Sequence, residues 1–157
     1  MQRLSVLSFL ELQLSGSLPG DATTHMRYPT AISQLLDIRI VAVAEAFAAV
    51  EIHACPERHG NQQGTVHGGL MCELADAAIG TAHSTVVKEG ESFASIDLKI
   101  NFIRPVFHST LRATASAIHL GKTVSHYRCD ITREDDNLAA VVTSSIMTLR
   151  GSQAHGR

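Results

Sequence analysis

The stretch Asn61-Gln-Gln-Gly-Thr-Val-His67-Gly68-Gly69-Leu-Met-Cys-Glu73-Leu-Ala-Asp76 concentrates the groups of this 157-residue chain that could carry a reaction. Adjacent glycines at a loop-to-helix junction let backbone come close to a ligand with no side chain in the way. The first turn of a helix adds unpaired N–H groups and the positive end of its dipole. Together they suit a carbonyl oxygen that gains negative charge, as in acyl transfer. The glycines alone read first as an ordinary Gly-rich helix entry, and Asp76 is the residue that tilts the reading toward chemistry. Aspartate is a poor helix former, yet it stands inside the run Leu74-Ala-Asp-Ala-Ala-Ile79. At about 100° per residue it points roughly opposite Leu74. The face it shares, Gly69, Cys72, Ile79, Gly80 and His83, is mostly small or apolar. Such a face is better covered by a ligand or a second chain than by water. Glu73 lies toward a different edge and reads as a solvated acid near the helix start, where the dipole favours it.

The elements that must hold these residues follow from periodicity. Gly68 to about Val87 has helical character, with Leu70, Leu74 and Ala78 forming one stripe, and Lys88-Glu-Gly90 closes it. Ser95-Ile-Asp-Leu-Lys-Ile-Asn-Phe102 alternates polar and apolar as a half-buried strand does. Strand-like runs follow near 110–120, 124–132 and 138–149, joined by Gly121-Lys-Thr123 and Glu134-Asp-Asp-Asn137. Upstream, Ala31–Leu36 reads as a short helix, 37–54 as two strands or one bent strand, and 55–64 as a loop. Short links require antiparallel neighbours, so one helix against one antiparallel sheet predicts an α+β domain.

Composition narrows the function classes. Hydrophobic residues are 45% and charged residues 18%, as in a globular domain, and the net charge of −2 supplies no basic field for nucleic acid or a membrane surface. The three cysteines form no CxxC pair and His53, Cys55 and His59 have no familiar ligand spacing, so no metal site and a reducing, cytoplasmic setting are expected. Gly121-Lys-Thr123 is not a phosphate loop, because Ser116 stands where the pattern needs glycine. The N-terminus only faintly resembles a secretory leader, with Ser5 and Ser8 interrupting its apolar run and Glu11 stopping it. Residues 1–30 are expected to be a poorly ordered extension without chemistry, 31–150 the domain, and 151–157 a tail.

The spaced pattern N-x-x-G-T-x-H-G-G-x-x-x-x-L-x-D, followed by Ser95-Ile-Asp-Leu-Lys-Ile-Asn-Phe-Ile-Arg-Pro105 and Gly121-Lys-Thr123, resembles the hotdog-fold acyl-CoA thioesterases of the phenylacetic-acid-degradation type. The resemblance spans about 35–149. It implies a long helix wrapped by an antiparallel sheet, Asp76 as catalytic carboxylate (base or nucleophile) and Gly68 as oxyanion-binding amide. It also implies Asn61 as the side chain on water or carbonyl, Ser95 as the hydroxyl assisting Asp76, and His67 beside the thioester. An aryl-, phenylacetyl- or medium-chain acyl-CoA is the implied substrate, with coenzyme A arriving as part of it and no separate cofactor. The implied assembly is a homodimer at least, and a homotetramer by family habit, with Asp76 and Ser95 facing Asn61, His67 and Gly68 of the other subunit. Arg104 and Lys122, at strand ends and turns, are candidates for the coenzyme A phosphates. The alternative is a non-catalytic acyl-CoA-binding module using the same pocket.

Overall fold

The computed structural model describes residues 3–155 as α1 (Val6–Leu14), α2 (Ala31–Leu36), β1 (Arg39–Ala44), β2 (Phe47–Ala54), α3 (Pro56–His59), α4 (Gly68–Ser84), β3 (Ser92–Phe102), β4 (Ser109–His119), β5 (Val124–Thr132), β6 (Leu138–Leu149) and a final 3-10 turn (Gly151–Ala154). Met1, Gln2, Gly156 and Arg157, the ends of the expected extension and tail, lie outside the described residues. The strands form one antiparallel sheet in the order β1-β2-β4-β5-β6-β3, leaving β1 and β3 at its edges.

Helix α4 lies in the hollow of this sheet. Leu74, Ala75, Ala78, Ile79 and Ala82 bury against Val50, Ile52, Leu111, Ala113, Tyr127, Ile131 and Ile146. Alanines on both sides bring the helix close to the strands, and the curved sheet then covers more than one stripe of it. This corrects the face drawn from the helical wheel: Ile79 and His83 belong to the core of the same chain, while Cys72, Asp76 and Gly80 stay partly open. The helix stops at Ser84, short of the expected 87. Thr85 caps it, donating its hydroxyl to the Ala82 carbonyl and accepting the Ala46 N–H.

Residues 3–30 differ from expectation. Ser5 caps α1 by accepting the Ser8 N–H at 3.2 Å, and Val6, Phe9 and Leu10 bury against Ile40 and Val43 of β1 together with Leu18, Met26 and Tyr28. Tyr28 reaches the end of α4, its hydroxyl 2.5 Å from Ser84 Oγ. The extension is a second small core built onto the edge of the sheet.

Candidate active site

Asp76 sits midway along α4, half-buried, and its Oδ1 accepts the Ser95 hydroxyl at 3.1 Å. Strand β3 positions that hydroxyl by an irregularity. Ser95 pairs with Ile146 and Asp97 with Ser145, so Ile96 has no partner across the ladder. One unpaired residue reverses the side-chain phase of a strand. Phe93 and Ser95 therefore face the helix on one side of the bulge, and Leu98, Ile100 and Phe102 face it on the other. A strand alternating without interruption would turn Ser95 away whenever Leu98 turned in.

At the start of α4, His67 is the capping residue. Its Nδ1 accepts the Gly69 N–H at 2.9 Å, which leaves Nε2 as the protonated nitrogen of the neutral ring. Among the described residues the Gly68 N–H has no hydrogen-bond acceptor. A Cβ on Gly68 would stand 2.7 Å from Phe102 Cζ, so the glycine lets the Phe102 ring lie over the helix entry. Asn61 closes the loop ahead of the helix: Oδ1 accepts the Gln63 and Thr65 N–H groups, and Nδ2 donates to Thr65 Oγ1 at 2.8 Å. Both oxygen lone pairs and one N–H are thus engaged, and one N–H remains to donate. Within one chain Gly68 and Asp76 stand about 12 Å apart along the helix axis, so the sequence-predicted residues form two clusters. Arg104 and Lys122 are not brought together. Arg104 donates to the Leu138 carbonyl and Lys122 lies beside Arg150, at opposite ends of the 12-residue strand β6.

A cavity of about 590 Å³ opens beside Asp76. Glu73 shares it, contrary to its reading as a solvated acid, and burial, followed by the Asp76 charge, pushes the Glu73 carboxyl above its usual range. Sequence reasoning also missed Phe93, which lines the cavity, and Phe102 over Gly68. Both are the apolar helix-facing positions of β3 on either side of the bulge. Behind the site His83 is buried, bonded to Tyr127 and Thr148 at 3.0 Å each. Burial lowers its pKa to about 4, so the ring is neutral. Among the described residues no group of three or more His, Cys, Asp or Glu is gathered as metal ligands would be, and no helix is long and apolar enough to cross a membrane.

An apolar hollow beside a hydroxyl-supported carboxylate, with a free amide at a glycine helix start, is a layout for acyl-transfer chemistry. Comparison with known proteins agrees. Residues 63–140 match the thioesterase superfamily. A Haemophilus influenzae protein named "Putative esterase" is 32% identical over 98 residues, 60% of this chain and 71% of that protein. The medium/long-chain acyl-CoA thioesterase YigI of Salmonella typhimurium is 25% identical over 134 residues, 76% of this chain and 86% of that protein. Among solved structures, the E. coli PaaI protein from the phenylacetic acid degradation operon superposes with a TM-score of 0.70 at 28% identity, covering 80% of this chain and 88% of that one. The chain belongs to the thioesterase superfamily. It is a thioester hydrolase with the hotdog fold.

Proposed function

We propose that the substrate is an acyl-CoA and that Asp76 is the general base of its hydrolysis. The observation that carries this reading is the Ser95–Asp76 hydrogen bond at the mouth of the apolar cavity. Asp76 takes a proton from water, the resulting hydroxide adds to the thioester carbonyl carbon, and the carbonyl oxygen becomes an oxyanion. The Gly68 N–H and the spare Asn61 N–H donate to that oxygen; one such donor supplies about 3–4 kcal/mol. Collapse breaks the C–S bond. The sulfur leaves as a thiolate, whose conjugate thiol has an intrinsic pKa of about 8.5 if it resembles cysteine, so no strong acid is needed, and the proton held by Asp76 then passes to it. Ser95 fixes the carboxylate, and His67 holds the Gly69 amide so that the Gly68 amide stays available.

The 12 Å between the two clusters argues for a site assembled from two subunits, Asp76 and Ser95 from one and Asn61, His67 and Gly68 from its partner. Edge strand β3 supports this, since among the described residues its outer backbone edge is unpaired, and Ile96 is 53% exposed and Phe102 54%. A homodimer is the minimum unit, paired further into a tetramer, and the cytoplasm is its setting.

The test is thiol release from a panel of acyl-CoAs. Turnover on at least one member, lost in Asp76→Asn, supports the reading. No turnover on any, or near-normal turnover in the variant, rejects it.

A further inference from the structure

We infer that the N-terminal segment, residues 3–33, is the wall of the acyl pocket and selects a linear aliphatic acyl chain of medium to long length. The inference rests on the acyl-CoA reading above and adds the substrate class and the element that sets it.

Leu10 and Leu14 of α1, Met26, and Ile32 of α2 line the cavity beside Asp76. All four lie outside the 63–140 span that matches the superfamily, as do β1 and β2. Ile40 and Phe93 supply the floor from β1 and β3. The wall is preformed: α1 is held by the burial of Val6, Phe9 and Leu10, and the segment between the helices is tied to α4 through Tyr28 and Ser84. The exposed Arg27 and Arg39 also border the cavity, where apolar stems can line it while the charged heads stay in water.

Size and shape then choose the acyl class. The lining follows α4 from Glu73 to Thr81, about 12 Å of helix, and the volume of about 590 Å³ is that of a site for a whole small ligand. A phenylacetyl group, one ring two bonds from the carbonyl, fills only the part nearest Asp76. An extended chain of about ten carbons runs the full length to Leu14 and Ile32. The N-terminal wall presents Leu, Met and Ile, flexible surfaces that fit a flexible chain, and its one aromatic ring, Tyr28, is tied by its hydroxyl to Ser84.

The test narrows the far end from partly exposed positions. Leu14 and Ile32 are each 42% exposed, so Leu14→Trp and Ile32→Trp can fill the cavity without opening the core. Affinities for decanoyl-CoA, phenylacetyl-CoA and acetyl-CoA are measured by calorimetry with Asp76→Asn as background, and kcat/KM with Asp76 intact. The unmodified wall should favour decanoyl- over phenylacetyl-CoA. Either tryptophan should cut the decanoyl-to-acetyl ratio at least tenfold, in affinity and, through KM, in kcat/KM. A ratio unchanged by both tryptophans, or a preference for phenylacetyl-CoA, overturns the inference. Absence of turnover with chain-length-dependent binding intact would instead defeat the hydrolytic reading and leave the pocket standing.

Discussion

Ser95 and Asp76 meet across 3.1 Å because β3 skips one position at Ile96. The bulge lets one strand present a hydroxyl to the helix at Ser95 and still turn Leu98 and Ile100 into the core. If Ser95 acts only by orienting the carboxylate, Ser95→Ala should lower kcat about tenfold with little change in KM. Asp76→Asn should lower it at least about a hundredfold, and the double variant should be no slower than Asp76→Asn alone. Steady-state kinetics on the three proteins decide this. Additive losses would give Ser95 an independent role.

Gly68 and Phe102 form a second tight pair. A methyl group on Gly68 would overlap the Phe102 ring, which is half-exposed and can swing aside. Gly68→Ala should therefore cost only about 1 kcal/mol of stability, with a larger loss in kcat as the helix entry shifts. Phe102→Ala in the same chain should restore the stability lost to Gly68→Ala. Denaturant titration beside thiol release separates the two effects.

Stability should fall on acidification through His83. Its folded pKa of about 4 lies below the ordinary 6.5, so between these values the unfolded chain binds more protons than the folded one. Stability therefore rises with pH across that window and is lost as pH drops through it, by up to about 3 kcal/mol for this buried ring. His25 and His59, also lowered chiefly by burial, act in the same direction. His83→Gln keeps hydrogen-bonding capacity toward Tyr127 and Thr148 but does not titrate. Its Tm should vary less between pH 4 and 6.5 than that of the parent protein. An equal slope would place the acid sensitivity elsewhere.

Residues 1–30 read in the sequence as a poorly ordered extension without chemistry, and the packing of α1 on β1 predicts a part in stability. Phe9 is buried against β1 in the cluster with Val6 and Leu10, so Phe9→Ala should destabilise the protein by about 3–5 kcal/mol. Removal of residues 1–26 should uncover Ile40 and Val43, leaving a protein that unfolds earlier or aggregates on heating. Thermal unfolding of both variants checks this, and a truncated protein with unchanged Tm would contradict it.

What was legible in the sequence divides by range. The alternating runs gave β4, β5 and β6 closely, and the helix entry at Gly68 was marked by its glycines. The pairing of Asp76 with Ser95 followed from resemblance alone, since the bulge at Ile96 depends on the register with β6 and leaves no mark in the alternation. Glu73 and His83 were misplaced because a helical wheel assumes one buried stripe, whereas the curved sheet covers more than one side of α4 and Glu73 faces a cavity bordered by α1. The signal for α1 was present. Val6, Phe9 and Leu10 have i, i+3, i+4 spacing behind a serine cap, but the same residues also read as a faint leader.

The division of the site between subunits is tested by complementation. Gly68 and Asp76 are fixed on one rigid helix, and no side-chain motion closes the 12 Å between them. Antiparallel pairing of two such helices, with the β3 edges adjoining, would bring each Gly68 toward the other subunit's Asp76. Asn61→Asp keeps an acceptor for the Gln63 and Thr65 amides but removes the N–H donors, so the loop is disturbed less than by alanine. Homodimers of Asn61→Asp and of Asp76→Asn should each be severely impaired. Mixed under conditions that exchange subunits, the two should form heterodimers in which one site carries both substitutions and the other carries neither. Activity should recover to about half of the parent value per heterodimer. Heterodimers demonstrated by differential tagging that stay inactive would return the whole site to a single chain.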